Sequence, residues 1–309
     1  MRKIAFVFPG QGAQYTGMGR DFYENYDRAK EVFAIAGKVS GMSMEELIFR
    51  ENEKLHVTEY TQVAMLTVEL AILKVLEEQG VSSSVNAGLS LGEYAALTAS
   101  GGLSVHDALK LIVKRGRLMQ EAVPAGGAMM AVMGADSSLV EKICEKTKGI
   151  VSVANYNCPG QIVITGQEQA VKQAAKNLQE AGAKRCIPLN VSGPFHSELL
   201  EEAGKKLAAE LEKVEIRELK TPYISNVTAG SVRDKDEVKG LLEKQISAPV
   251  RWQQSVELMV SEGVDTFIEI GPKKTLSGFL KKIAPHVDSY HVETVEDMER
   301  LLEMLRTEG

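Results

Sequence analysis

Apolar residues along this chain follow two rhythms. An unbroken run at residues 4–8 has the pattern of a strand buried on both faces, and further strand-like runs lie at 85–89 and 266–270. Between them, apolar positions recur at intervals of three and four. Residues 61–78 put Met65, Val68, Ala71, Ile72 and Val75 on one stripe, which predicts an amphipathic helix. Further helices are predicted at about 18–36, 44–49, 91–97, 198–213, 236–245, 252–261, 274–283 and 295–307, with a short strand at 223–225. Ser104 is placed to cap another helix, running to about Ala122 ahead of Pro124. At 100° per residue that helix gathers Val105, Ala108, Leu109, Ile112, Gly116 and Met119 on one arc and Lys110, Lys114, Arg117 and Glu121 opposite. Arg115 falls inside the apolar arc, where a cation must snorkel, be paired or bind an anion.

The pattern changes at residue 127. A strand at 128–133, a helix at 137–148, and strands at 150–155 and 161–165 around Cys158-Pro159-Gly160 come first. A helix at 167–181 and a strand at 185–189 complete the order βαββαβ. The fold expected is α/β, with a ferredoxin-like small subdomain (127–191) inserted into a large subdomain formed by 1–126 and 192–309. Strands and helices alternate on both sides of the insert, which predicts a mostly parallel sheet covered by helices.

Composition removes several classes of function. The 309 residues are 44% hydrophobic, enough for a substantial core and too apolar for global disorder. A net charge of −6 argues against a general nucleic-acid binder. The first apolar run is too short for a signal peptide, and no stretch approaches a membrane span. Cys144, Cys158 and Cys186 are odd in number and lack close pairing, which suits a reducing compartment. The histidines and cysteines lack zinc spacing, so no metal or cofactor is expected. The expectation is a cytoplasmic protein with no nucleic-acid or membrane partner. Nothing demands an oligomer, so a monomer is expected.

The chemistry gathers at Gly88-Leu89-Ser90-Leu91-Gly92, a Gly-x-Ser-x-Gly string with a strand before it and a helix after. Such a nucleophile elbow projects a serine hydroxyl towards a base. The alternative reading is a Gly-rich turn with a helix-capping serine. The first strand ends in Pro9-Gly10-Gln11-Gly12, which lacks the lysine of a phosphate loop and the third glycine of a dinucleotide loop. Its backbone N–H groups suit a developing oxyanion better. Of the five histidines, His106 lies near the polar side of its helix, and His56, His286 and His291 sit in polar stretches. His196 follows Gly193-Pro194-Phe195 where the insert returns to the main body, and it is the candidate base for Ser90. An ordinary imidazole would make acylation rise with pH through about 6.5.

The parts occur in a telling order. Phe8-Pro9-Gly10-Gln11-Gly12, Gly88-Leu89-Ser90-Leu91-Gly92-Glu93 and Lys114-Arg115-Gly116 come first. Asn155-Tyr156-Asn157-Cys158-Pro159-Gly160-Gln161 and Gly193-Pro194-Phe195-His196-Ser197 follow. Ser225-Asn226-Val227, Pro249-Val250-Arg251-Trp252 and Glu269-Ile270-Gly271-Pro272 close the series. Over essentially its whole length the chain resembles the malonyl-CoA:acyl-carrier-protein transacylases of fatty-acid synthesis. The resemblance implies an α/β-hydrolase-like large subdomain with a ferredoxin-like insert, and malonyl-CoA and acyl carrier protein as partners. It implies Ser90 as the acylated nucleophile, His196 as its base, and the N–H groups of Gln11 and Leu91 as the oxyanion hole. Arg115 would pair with the malonyl carboxylate, the Gln245 carbonyl would orient the histidine, and Asn155 would line the thioester arm. One position departs from the family pattern, which usually reads Gly-His-Ser-Leu-Gly: Leu89 stands in place of that histidine. Three other readings share parts of the pattern. These are a discrete acyltransferase loading a polyketide carrier protein, a serine thioesterase, and a non-catalytic carrier-protein adaptor.

Overall fold

A computed structural model describes residues 2–123, 125–191 and 193–307. The helix stop expected at Pro124, the boundary at Ser192 and the terminal residues 1, 308 and 309 lie outside the described residues. Among the described residues ten strands appear in chain order: β1 (Ile4–Phe8), β2 (Val85–Gly88), β3 (Gly127–Met133), β4 (Val151–Cys158), β5 (Gln161–Gln167), β6 (Arg185–Pro188), β7 (Tyr223–Ile224), β8 (Ser231–Val232), β9 (Thr266–Ile270) and β10 (Asp288–Val292). They form two sheets. One has six strands in the order β10-β9-β1-β2-β7-β8, the other four in the order β4-β5-β3-β6. The first is parallel except for the β7–β8 pair, and the second is antiparallel throughout.

The continuous apolar run of β1 is explained by burial on both faces. Phe6 and Phe8 enter one core with the helix Thr58–Glu78, while Ala5 and Val7 enter another with Trp252, Phe267 and Leu276. The smaller sheet alternates likewise. Met130 and Val132 pack beneath the helices Ser137–Lys146 and Glu168–Glu180, whereas Met129 and Ala131 join the main core. The smaller sheet is tied to the main body at Val250, just before the helix Trp252–Ser261. Its N–H donates to Ala154 O at 2.8 Å, and its carbonyl accepts from Tyr156 N–H at 2.9 Å. This junction positions the site.

Several expected elements differ in detail. The helix predicted at 18–36 is two, Arg20–Asn25 and Asp27–Ser40, because Tyr26 is extended at φ −129°, ψ 125°. The helix predicted at 198–213 is a tight turn, Glu198–Leu200, followed by Glu201–Leu211. Strands β8 and β10 have no strong apolar run of their own, since each lies at an edge and is ordered by its neighbour. The helix Thr58–Glu78 is not amphipathic in its burial. It is enclosed on nearly all sides, with Gln62, Thr67 and Glu69 among its buried residues. Among the described residues no helix is long and apolar enough to cross a membrane.

Candidate active site

Strand β2 turns directly into the helix Gly92–Ala99, and Ser90 sits at the turn with φ +55°. The flanking glycines are sterically required. A Cβ on Gly88 would lie 2.0 Å from the Gly92 backbone, and one on Gly92 would lie 2.3 Å from Phe8 O. Asn226 clamps the turn: its side-chain carbonyl accepts from Ser90 N–H at 2.7 Å, and its amide donates to Gly88 O at 2.6 Å. An αL serine is costly by itself, and these two bonds help hold it there.

His196 reaches Ser90 from the segment after the insert, with Nε2 at 2.8 Å from Oγ. Its Nδ1 faces two carbonyls, Gln245 O at 2.9 Å and Ala248 O at 3.1 Å. Carbonyls only accept, so Nδ1 carries the hydrogen and Nε2 presents its lone pair to the serine. Burial, with the Arg115 charge second, pushes the imidazole down to about 4. The ordinary value of about 6.5 expected from the sequence is therefore corrected: desolvation keeps this imidazole neutral at physiological pH. His291, expected in a polar segment, instead lies on β10 with its side chain 5% exposed and Nε2 3.0 Å from Gly271 O. His106 is exposed beside Asp107.

Arg115 is fully buried on the helix Val105–Ala122, whose N-cap is Ser104 as predicted. It does not snorkel. Its guanidinium donates to Gln62 Oε1 at 2.7 Å, Gln245 Oε1 at 2.9 Å and Ser90 Oγ at 2.9 Å, and it lies over the Tyr94 ring. Ser90 Oγ thus accepts from Arg115 while donating to His196. Among the described residues Arg115 has no ion pair with a carboxylate.

A cavity of about 110 Å³ opens on these groups, lined by Gln11, Leu91, Met129, Asn155 and Phe195 as well as Leu89. The backbone N–H groups of Gln11 and Leu91 have no acceptor among the described residues, so they are free to meet an incoming oxygen. All seven sequence-predicted residues therefore converge. Ser90, His196, Arg115 and Gln245 are bonded together, while Gln11, Leu91 and Asn155 line the cavity or its rim. Such an arrangement can attack a carbonyl, hold the resulting oxyanion and bind an anionic substituent nearby.

Residues 5–301 match the acyl transferase domain family. The chain belongs to that family. Among acyl transferases it is 44% identical to the malonyl CoA-acyl carrier protein transacylase of Bacillus subtilis (strain 168), over all of this chain and 99% of that protein. The crystal structure of malonyl CoA-acyl carrier protein transacylase from Clostridium perfringens superposes with a TM-score of 0.95 at 45% identity, covering 99% of this chain and 98% of that one. A malonyl-transacylase solved in complex with a type II polyketide acyl-carrier protein gives 0.94 at 38% identity, covering 97% and 99%.

Sequence reasoning gave this acyl transferase no role for Gln62, Glu93 or Asn226. Each is a buried polar residue within a hydrogen bond of the predicted set. The available sign was a polar side chain inside an otherwise apolar element: Gln62 in the Thr58–Glu78 helix, and Glu93 in the first turn after the serine. That sign marks burial and says nothing of which partner satisfies the group.

Proposed function

We propose that this chain moves a malonyl group from malonyl-CoA to the phosphopantetheine thiol of an acyl carrier protein in fatty-acid biosynthesis, by way of malonyl-Ser90. The observation that carries the reading is the position of Ser90 Oγ, between the neutral face of His196 at 2.8 Å and the buried Arg115 guanidinium at 2.9 Å. A nucleophile beside a cation that touches no carboxylate suits an acyl group that ends in one, held by parallel charge-assisted hydrogen bonds. His196 takes the serine proton as Oγ attacks the thioester. The N–H groups of Gln11 and Leu91 stabilise the tetrahedral oxyanion, a donor of this kind being worth about 3–4 kcal/mol. The C–S bond breaks, His196 returns the proton to the CoA thiol, and the carrier thiol repeats the sequence in reverse, giving ping-pong kinetics. The Gln245 carbonyl orients the histidine, and Asn155 lines the thioester arm. The names of the Bacillus and Clostridium relatives support the substrate and the acceptor.

A thioesterase usually orients its histidine with a carboxylate. Here two neutral carbonyls hold Nδ1, which supports transfer over hydrolysis. We read the molecule as an α/β-hydrolase-like large subdomain, 1–126 with 192–309, carrying a ferredoxin-like small one at 127–191. The order β3, helix, β4, β5, helix, β6 supports that division.

Intact-mass measurement tests the function. Incubation with malonyl-CoA should add one malonyl group, which persists in water and moves to added holo carrier protein. Ser90→Ala should take up none. An adduct on that variant, or loss of the group to water at the rate of transfer, would sink the reading.

A further inference from the structure

We propose that Glu93 is the counter-ion of the acyl site: it is ionised while Arg115 is unoccupied and takes up a proton when the carboxylate of the acyl group pairs with Arg115. This rests on the malonyl-Ser90 reading above.

Glu93 is wholly buried in the first turn of the helix Gly92–Ala99, behind the nucleophile. Its Oε2 accepts from Gln245 Nε2 at 2.6 Å and from Asn226 N–H at 3.3 Å. The carbonyl end of the same Gln245 amide accepts from Arg115 at 2.9 Å. One amide therefore bridges an acid and a guanidinium. Its orientation is set by both, because a reversed amide would turn NH2 towards Arg115 and oxygen towards the carboxylate. The other acceptors of Arg115, Gln62 Oε1 and Ser90 Oγ, are neutral. The acid and the cation are thus matched across a single amide in a buried site, where a lone charge is expensive.

An arriving carboxylate leaves two anions around one cation. Protonating Glu93 relieves this, and Oε1 is buried with no hydrogen-bond partner, ready to carry the hydrogen. Other titratable groups face Glu93. Tyr94 on its own helix and Tyr223 on β7 are buried phenols whose acidity burial suppresses, so they stay neutral. His196, beyond Arg115, is neutral as well. Burial lifts Glu93 itself to about 7, against the opposing pull of Gln245, Asn226 and Arg115, so a small change in the field alters its charge at working pH.

Acylation itself is proton-neutral, since the Ser90 hydroxyl proton ends on the departing thiol. Any net uptake belongs to a protein group. A stopped-flow pH indicator in weak buffer, with intact-mass confirmation of the adduct, reads it. Wild-type enzyme with malonyl-CoA should take up a fraction of a proton per Ser90 acylated, greatest just above about pH 7 and vanishing below about pH 6, where Glu93 is protonated in both states. Acetyl-CoA on the same wild-type enzyme should give an adduct without uptake, a comparison that needs no variant to fold. Glu93→Gln should lose the uptake with malonyl-CoA. Equal uptake with both acyl groups, uptake retained in Glu93→Gln, or a malonyl adduct formed without uptake each overturns the proposal. Absence of any malonyl adduct on Ser90 fails the functional reading first, and this inference with it.

Discussion

At the scale of the residue, the site is governed by what burial does to charge. His196 is held neutral by desolvation, which pushes its pKa down to about 4. In the proposed mechanism the active form is the unprotonated imidazole, present above that value and lost as pH falls through it. Single-turnover acylation should therefore show no histidine limb near pH 6.5, and should fall towards pH 4. Rapid-quench measurement between pH 4 and 8, with short exposure at the acid end, checks this; a limb near 6.5 that persists in Glu93→Gln would mean that His196 is hydrated during turnover. Arg115 is the second buried charge, and its hydrogen bonds to Ser90, Gln62 and Gln245 hold it at the nucleophile. Arg115→Ala should cut the preference for malonyl-CoA over acetyl-CoA by about tenfold to a hundredfold, the worth of a charge-assisted hydrogen bond. Arg115→Lys should recover only part, because an ammonium cannot reproduce the planar fork. The check is kcat/KM for both thioesters; an unchanged ratio in Arg115→Ala would leave the arginine a structural role. The nearby Phe195 also lines the cavity and should disfavour a methyl branch beside the thioester.

At the scale of the element, the elbow works because strand and helix nearly touch. A Cβ on Gly92 would stand 2.3 Å from Phe8 O and 2.7 Å from Pro9 O, and both acceptors are backbone atoms that no rotamer can move. Gly92→Ala should destabilise the protein at or above the ~3 kcal/mol top of the usual overpacking range. Thermal unfolding would register this as a large fall in Tm or as insoluble protein. A near-wild-type Tm would show that β1 can retreat from the helix. The helix Thr58–Glu78 illustrates the reverse case, where an element's surroundings reach beyond its own pattern. Its apolar stripe predicts one buried face, but the sheet and neighbouring helices enclose it, so Gln62 comes to rest against Arg115.

At the scale of the whole molecule, the site exists only where two sheets meet. Ser90 and Gln11 come from the six-stranded sheet's connections, and Asn155 and Met129 from the four-stranded sheet. The smaller sheet keeps a core of its own beneath its two helices, with Leu178 fully buried in it. Leu178→Ala should cost about 2–5 kcal/mol. Hydrogen exchange should show lost protection concentrated in residues 127–191, with Ser90 still acylated; protection lost equally in both sheets would argue against separate cores. The chain's sequence alone determined the strand and helix order, because burial on one or two faces leaves a local period. It also marked Ser90 as the candidate nucleophile, because an elbow needs its glycines and serine within five consecutive residues. The departure at Leu89 was legible for the same reason. The short edge strands, the break at Tyr26, and the partners of Gln62, Glu93 and Asn226 were not. Hydrogen bonds from Ser90 N–H to Asn226 and from Gln245 to Glu93 join residues more than a hundred positions apart. No local pattern encodes such a meeting, and the depressed pKa of His196 follows only once the folded chain has excluded water around it.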